Sequence, residues 1–211
     1  MSELFSIQLQ NRQQQGRDGV WLDLPTTTEQ VQAALRQIGI SSDNPQGLFI
    51  SGYFAEEEKR FAIPYNMVLA SNVDELNFLA SRLETLSTGE RAELNAALQA
   101  PQSELFSIGR ITDFPENVDY YVHLPDVHGP AQLGDYYLNR SGMVDMPEEW
   151  KGGIDTAQFG RYVAQQEQGA FTQYGYLVKS GDEWQKVHEG QPVPEEYRVL
   201  SFPAPEVLRD A

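Results

Sequence analysis

The hexapeptide Ser2-Glu3-Leu4-Phe5-Ser6-Ile7 recurs, residue for residue, as Ser103-Glu104-Leu105-Phe106-Ser107-Ile108. Nearly the same interval separates Trp21-Leu22-Asp23-Leu24-Pro25 from Tyr121-Val122-His123-Leu124-Pro125. Two matches at almost one offset constrain the fold more than any other feature, because a repeated segment is most simply a repeated structural unit. Duplication of one unit, or convergent use of one α+β plan, is the favoured reading, with chance similarity between two edge strands as the alternative. Each copy reads as a strand, a turn and a second strand closed by a Leu-Pro step. Such a step disfavours helix at the Leu and lets one begin after the Pro.

In the first copy, Thr26-x-x-Glu29 reads as a capping box, Val31, Ala34, Leu35 and Ile38 form one apolar stripe, and Gly39 can end the helix in the left-handed region. Leu48 to Tyr53 then supplies a returning strand. In the second copy Pro130 opens a helix stopped near Gly142, Asp155 caps another that runs to Gly169, and Phe171 to Val178 is the closing strand. Between the copies, Val73, Leu76, Leu79, Leu83 and Leu86 keep helical spacing, and Ser87-x-x-Glu90 caps a second helix. The pattern predicts an α+β protein of two small α/β lobes joined by a helical hairpin. The expected domains are 1–62, 63–102 and 103–180, with a Pro-rich extension over 181–211. That extension is expected to pack on the second lobe through Trp184, Tyr197 and Phe202.

Thirty-one Asp and Glu face fifteen Lys and Arg among 211 residues, a formal charge of −16. Forty per cent of residues are hydrophobic, so the chain can bury cores and must carry its charge on ordered surface. The sequence contains no cysteine, which removes disulfides, thiolate metal sites and cysteine nucleophiles from consideration. No stretch approaches the roughly 18 apolar residues of a membrane span, and the first residues lack the pattern of a signal peptide. A cytoplasmic protein with no membrane contact is expected.

Enzyme motifs are weak. His123-Leu124-Pro125-Asp126-Val127-His128 could gather two imidazoles and a carboxylate around a cation, but Pro125 argues against helical register and no fourth ligand is apparent. A strand-end histidine beside a polar loop is the simpler reading. No G-x-S-x-G, P-loop or G-x-G-x-x-G pattern is present, and nucleotide binding is unsupported.

The charge has a pattern of its own. From Phe61 to Ser81 the only charged residues are Asp74 and Glu75, and from Ile111 to Asn139 stand Asp113, Glu116, Asp119, Asp126 and Asp135 with no Lys or Arg. Duplex DNA carries one charge per roughly 1.7 Å of axis, so 31 carboxylates in such a row would span on the order of 50 Å. A surface of that kind would compete for the groove of a DNA-binding enzyme with no catalytic residue of its own, whereas acidity serving solubility alone is the plain alternative.

Several segments resemble one family: Gly19-Val20-Trp21-Leu22-Asp23-Leu24-Pro25 before a capped helix, Asp74-Glu75-Leu76-Asn77 opening a Leu-rich helix, and Leu133-Gly134-Asp135-Tyr136-Tyr137 running to Gly142-Met143. Phe159-Gly160-Arg161 before Tyr174-Gly175-Tyr176 completes the set. In this order and spacing they are similar to the ArdA antirestriction proteins of mobile elements, over roughly residues 4 to 178. The resemblance implies an elongated, acidic, three-domain homodimer that imitates bent B-form DNA and occupies the DNA site of type I restriction–modification enzymes, binding no nucleic acid itself. It also implies no catalysis and no cofactor. The family's antirestriction motif would fall on about Leu133 to Val144 and is associated with the dimer contact, with Leu133, Tyr136, Tyr137 and Met143 as its apolar residues. The chain departs from the pattern after Ser180. An acidic protein–protein adaptor without DNA mimicry is the second reading, and a hydrolase using His123 and Asp126 the third.

Overall fold

A computed structural model describes residues 4–14, 18–41, 46–57, 60–101 and 103–200. In chain order its elements are β1 (Phe5–Asn11), β2 (Val20–Leu24), α1 (Thr28–Gln37), β3 (Leu48–Phe54), α2 (Tyr65–Leu69), α3 (Val73–Glu84), α4 (Thr88–Gln99) and α5 (Ile108–Thr112). They continue as β4 (Tyr121–Leu124), α6 (Pro130–Asp135), a π-helical turn (Tyr136–Arg140), α7 (Glu148–Lys151), α8 (Thr156–Glu167), β5 (Ala170–Thr172) and β6 (Gly175–Lys179). The α+β class is as expected. Two compact units form: the first takes the chain up to Thr85, Ser107–Thr112 and Val187 onward, the second Leu86–Phe106 and Asp113–Lys186.

In the first unit a three-stranded antiparallel sheet has the order β2-β1-β3. Alternation along β1 turns Phe5, Ile7 and Leu9 into the core, where Leu22 and Leu24 of β2 meet them. Burying each such side chain contributes roughly 1.5–3 kcal/mol. Pairing with β3 skips Ser51, since Gln8 lies opposite Gly52 and Leu9 opposite Ile50. The skipped residue is held instead by its side chain, whose hydroxyl donates toward Gln8 Oε1 at 3.0 Å. Its carbonyl accepts from the Tyr65 hydroxyl at 3.2 Å.

The first helix begins one residue later than the sequence pattern predicts. Thr27, not Thr26, is the N-cap, and Gln30 returns the bond to complete the box. Thr26 is buried, and its N–H is already committed to Asn77 Oδ1 at 2.7 Å, so the neighbouring threonine takes the capping role. Val31, Ala34 and Leu35 form the buried face, and Gly39 has φ of +68° after the helix. In α3, Asn72 and Glu75 form a reciprocal cap over a face containing Leu76, Leu79 and Leu83.

The second unit opens with α4, capped by Ser87 and Glu90 as its sequence predicts. Its sheet has the order β4-β6-β5. The expected single closing strand is a hairpin: Gly175 turns the chain with φ of +118°, a conformation few other residues adopt. Helices α6 and α8 cross at two glycines. A Cβ on Gly134 would stand 1.9 Å from the Thr156 carbonyl oxygen, and one on Gly160 would stand 1.8 Å from that of Pro130. The core is Val127, Leu133 and Tyr176, covered by half-buried Tyr136, Tyr137 and Phe171 among others.

Two other expectations change. Residues 103–108 form no strand: Leu105 N–H bonds Ser103 Oγ, and Ser107 Oγ accepts from Arg110 N–H at 3.2 Å, which opens α5. The Leu-Pro matches do both close edge strands, β2 and β4, yet the central strand is the first of its sheet in one unit and the last in the other. In the extension, Trp184 stacks edge-on against Tyr120 at 5.1 Å, as expected for the second lobe. Tyr197 instead meets Phe78 of the first unit at 4.7 Å, because α3 offers there both a ring and the side chains of Asp74 and Asn77, which bond the segment's main chain. Phe202 lies outside the described residues. Among those described, no helix is long and apolar enough to cross a membrane.

Candidate functional site

The second unit carries fifteen Asp and Glu against six Lys and Arg. Of the acids singled out in the sequence, Glu116, Asp119 and Asp126 are exposed on this unit. Glu116 lies in a short 3-10 turn with Pro115, Asp119 in the next such turn, and Asp126 in the loop after β4. Short turns hold Glu116 and Asp119 because Asn117 closes their segment from within: its Nδ2 donates to the Asp113 carbonyl at 2.8 Å and to that of Gln185 at 3.0 Å. Its Oδ1 accepts from Gln185 N–H at 2.7 Å. A fully bonded buried amide of this kind fixes the backbone from which the carboxylates project.

The others are placed differently. Asp113 is 0% exposed, so it is removed from the surface on which the sequence pattern puts it. Asp135 is paired with Arg140 at 3.5 Å and accepts from Asn139 Nδ2. In the first unit, Glu75 is engaged in the cap of α3, and Asp74 accepts the N–H groups of Val199 and Leu200. Sequence spacing brought all seven acids into one class, whereas tertiary contacts divide them into exposed charge, local partners and one interior group.

Asp145, Glu149 and Glu183, which the sequence reading passed over, join the exposed surface of the second unit, as does Asp155, which the sequence reading named as a helix cap. Asp155 caps α8 by accepting from the N–H groups of Ala157 and Gln158. Glu148 and Glu104 pair with Lys151 and Lys179. Glu93 is the exception within this acidic field. It lies on α4 with one carboxylate oxygen buried and lacking a hydrogen-bond partner among the described residues. Burial first, then the negative charges of Glu90 and Asp119, push its carboxyl up to about 8. The signal in the sequence is its place four residues before Ala97, on the buried stripe of the helix.

Residues 133–143 divide as well. Leu133 is wholly buried in the core of the second unit, so it supports the segment from beneath and offers no surface to a partner. Tyr136 stands edge-on to Tyr137 at 5.5 Å and lies under the Arg140 guanidinium. Met143 is 74% exposed. The turn between them is π-helical, with Ser141 N–H reaching back to the Tyr136 carbonyl at 2.8 Å. What holds it is Glu167, which no motif marks: one oxygen accepts from the Tyr137 hydroxyl, the other from Tyr176 at 3.0 Å. Burial, followed by the bonds and charge of Glu167, raises both phenols above their ordinary value.

His123 Nε2 lies 2.7 Å from the Tyr174 carbonyl, an ordinary strand-end contact, and neither it nor His128 joins a set of three close metal-ligand side chains among the described residues. No curated protein matches the chain. The family described as antirestriction protein (ArdA) matches residues 15–178, well over half of the sequence, and the chain belongs to that family.

Proposed function

We propose that this protein inhibits restriction by imitating B-form DNA and occupying the DNA-binding site of type I restriction–modification enzymes, as a cytoplasmic homodimer without catalytic group or cofactor. Family membership over residues 15–178 carries the proposal. The charge supports it: a chain at −16 that still buries well-formed cores carries its acids at the cost of self-repulsion, and a basic groove offsets that cost. Phosphate contacts supply most sequence-independent affinity in such grooves, and exposed carboxylates such as Glu116, Asp119 and Asp126 are chemically equipped to meet the same Lys and Arg. The dimer contact is assigned to Tyr136, Tyr137 and Met143, of which Met143 is the most exposed.

The test is a gel-shift competition between this protein and a cognate duplex for a purified type I methyltransferase. Displacement of the duplex that weakens steeply with rising salt is expected, since screening acts on the same charge pairs. Neutralising Glu116, Asp119 and Asp126 together should weaken displacement, and each alone should do little. Binding that ignores salt and leaves the duplex in place would instead identify an adaptor.

A further inference from the structure

The part of the chain beyond the family match has a site of its own in the first unit. Asp74 Oδ1 accepts two successive main-chain N–H groups, from Val199 at 2.8 Å and Leu200 at 2.7 Å. One turn on, Asn77 Nδ2 donates to the Tyr197 carbonyl at 3.0 Å, with its Oδ1 fixed by Thr26 N–H at 2.7 Å. Phe78, 5% exposed, lies between the Tyr197 ring at 4.7 Å and the His188 ring at 4.9 Å. At the near end of the same segment Glu189 pairs with Arg110 of α5 at 3.4 Å.

A carboxylate and an amide on a helix that bind the main chain of a segment shaped by a short 3-10 turn, Glu195–Tyr197, beside a ring that binds a side chain, are the components of peptide recognition. Main-chain bonds supply affinity and the ring supplies selectivity, and bonds to an ionised acceptor are the stronger kind. The segment also holds its own bound shape, since Arg198 Nε donates to the Val193 carbonyl at 2.7 Å and Tyr197 N–H to that of Pro194 at 3.0 Å. We propose that the face of α3 bearing Asp74, Asn77 and Phe78 is a peptide-binding site, filled here by the chain's own His188–Leu200, that accepts a peptide whose single 3-10 turn offers the same ring and carbonyl and whose following residues offer the paired amides.

The test uses a fluorescent synthetic peptide of residues 188–200 and full-length protein. A tethered segment competes at an effective concentration on the order of millimolar, so the unchanged chain should bind the peptide at least tenfold more weakly than a Tyr197→Ala chain, whose own segment is loosened. Adding Asp74→Ala to that variant should abolish binding. Failure of the peptide to bind the Tyr197→Ala chain, or binding indifferent to Asp74, overturns the proposal. Should Tyr197→Ala not fold, hydrogen exchange decides: Asp74→Ala alone should speed exchange at the Val199 and Leu200 amides at least tenfold and leave Ile7 and Leu9 protected. Equal protection in both proteins would overturn it as well.

Discussion

In the first unit the central strand presents Phe5, Ile7 and Leu9 to its core, side chains that require only volume and shape from their neighbours. In the second, the central strand presents Tyr176, which requires a hydrogen-bond acceptor, and Glu167 supplies one to it and to Tyr137 together. The first unit has a tyrosine in the comparable position of need: Tyr53 stands edge-on to Phe5 at 5.4 Å, and its buried hydroxyl has no hydrogen-bond partner among the described residues. Burial pushes that phenol up to about 12, against a smaller opposing effect of Arg60. The lesson is that two sheets of equal size reach order by different means, one by apolar filling that tolerates an unsatisfied hydroxyl, the other by a bonded polar group and a glycine crossing that admit only one geometry.

The crossing is where this contrast breaks most sharply. Gly160→Val puts methyl groups where a backbone carbonyl stands 1.8 Å from even a Cβ, and neither backbone can yield. The expected loss is about 5 kcal/mol, seen in chemical denaturation as collapse of the second unit while β1 amides stay protected against exchange. Phe5→Ala should do the reverse, costing about 4 kcal/mol and loosening the first unit, because it opens a cavity in an apolar core. A matched pair follows. Tyr176→Phe strands one Glu167 oxygen and should cost about 2 kcal/mol, whereas Tyr53→Phe removes an unbonded hydroxyl and should be neutral or stabilising by about 1 kcal/mol. Equal effects of the two in thermal melts would remove the distinction between the units.

The smallest effect concerns pH. Glu93 binds its proton more tightly in the folded protein than in the unfolded chain, so the folded state holds more protons between the ordinary carboxyl value and about 8. Stability therefore falls as pH rises through that window. Glu93→Gln should flatten this decline, measured as unfolding midpoints from pH 4 to pH 9. An unchanged slope would mean that Glu93 is ionised at little cost.

Much of the fold was legible because local rules dominate there. The Ser87 box, the Asp155 cap, the turn at Gly39 and the Leu-rich stripe of α3 each rest on contacts within four residues. The repeated hexapeptide shows the limit. In β1 its Phe-Ser-Ile is strand because β2 and β3 flank it, while at 106–108 the same residues lead into a helix that Ser107 caps. Context decides between two conformations that one sequence permits. The candidate site was legible only as charge. That Asp113 is interior, that Asp74 serves the main chain of a segment over a hundred residues away, and that Glu167 joins two tyrosines all depend on long-range contacts that no spacing encodes.

The omitted pairing at Ser51 bears on the outer rim of β3, an edge strand of its sheet. An edge strand with regular, unclaimed amides and carbonyls is a template on which another chain can add itself. Here the rim is kinked by an extra residue, its carbonyl is already occupied by a phenol, and a glycine follows it. The sheet is thereby guarded against fibre-like growth at its most vulnerable border, and it keeps that guard at high salt, when mutual repulsion between acidic molecules no longer holds them apart.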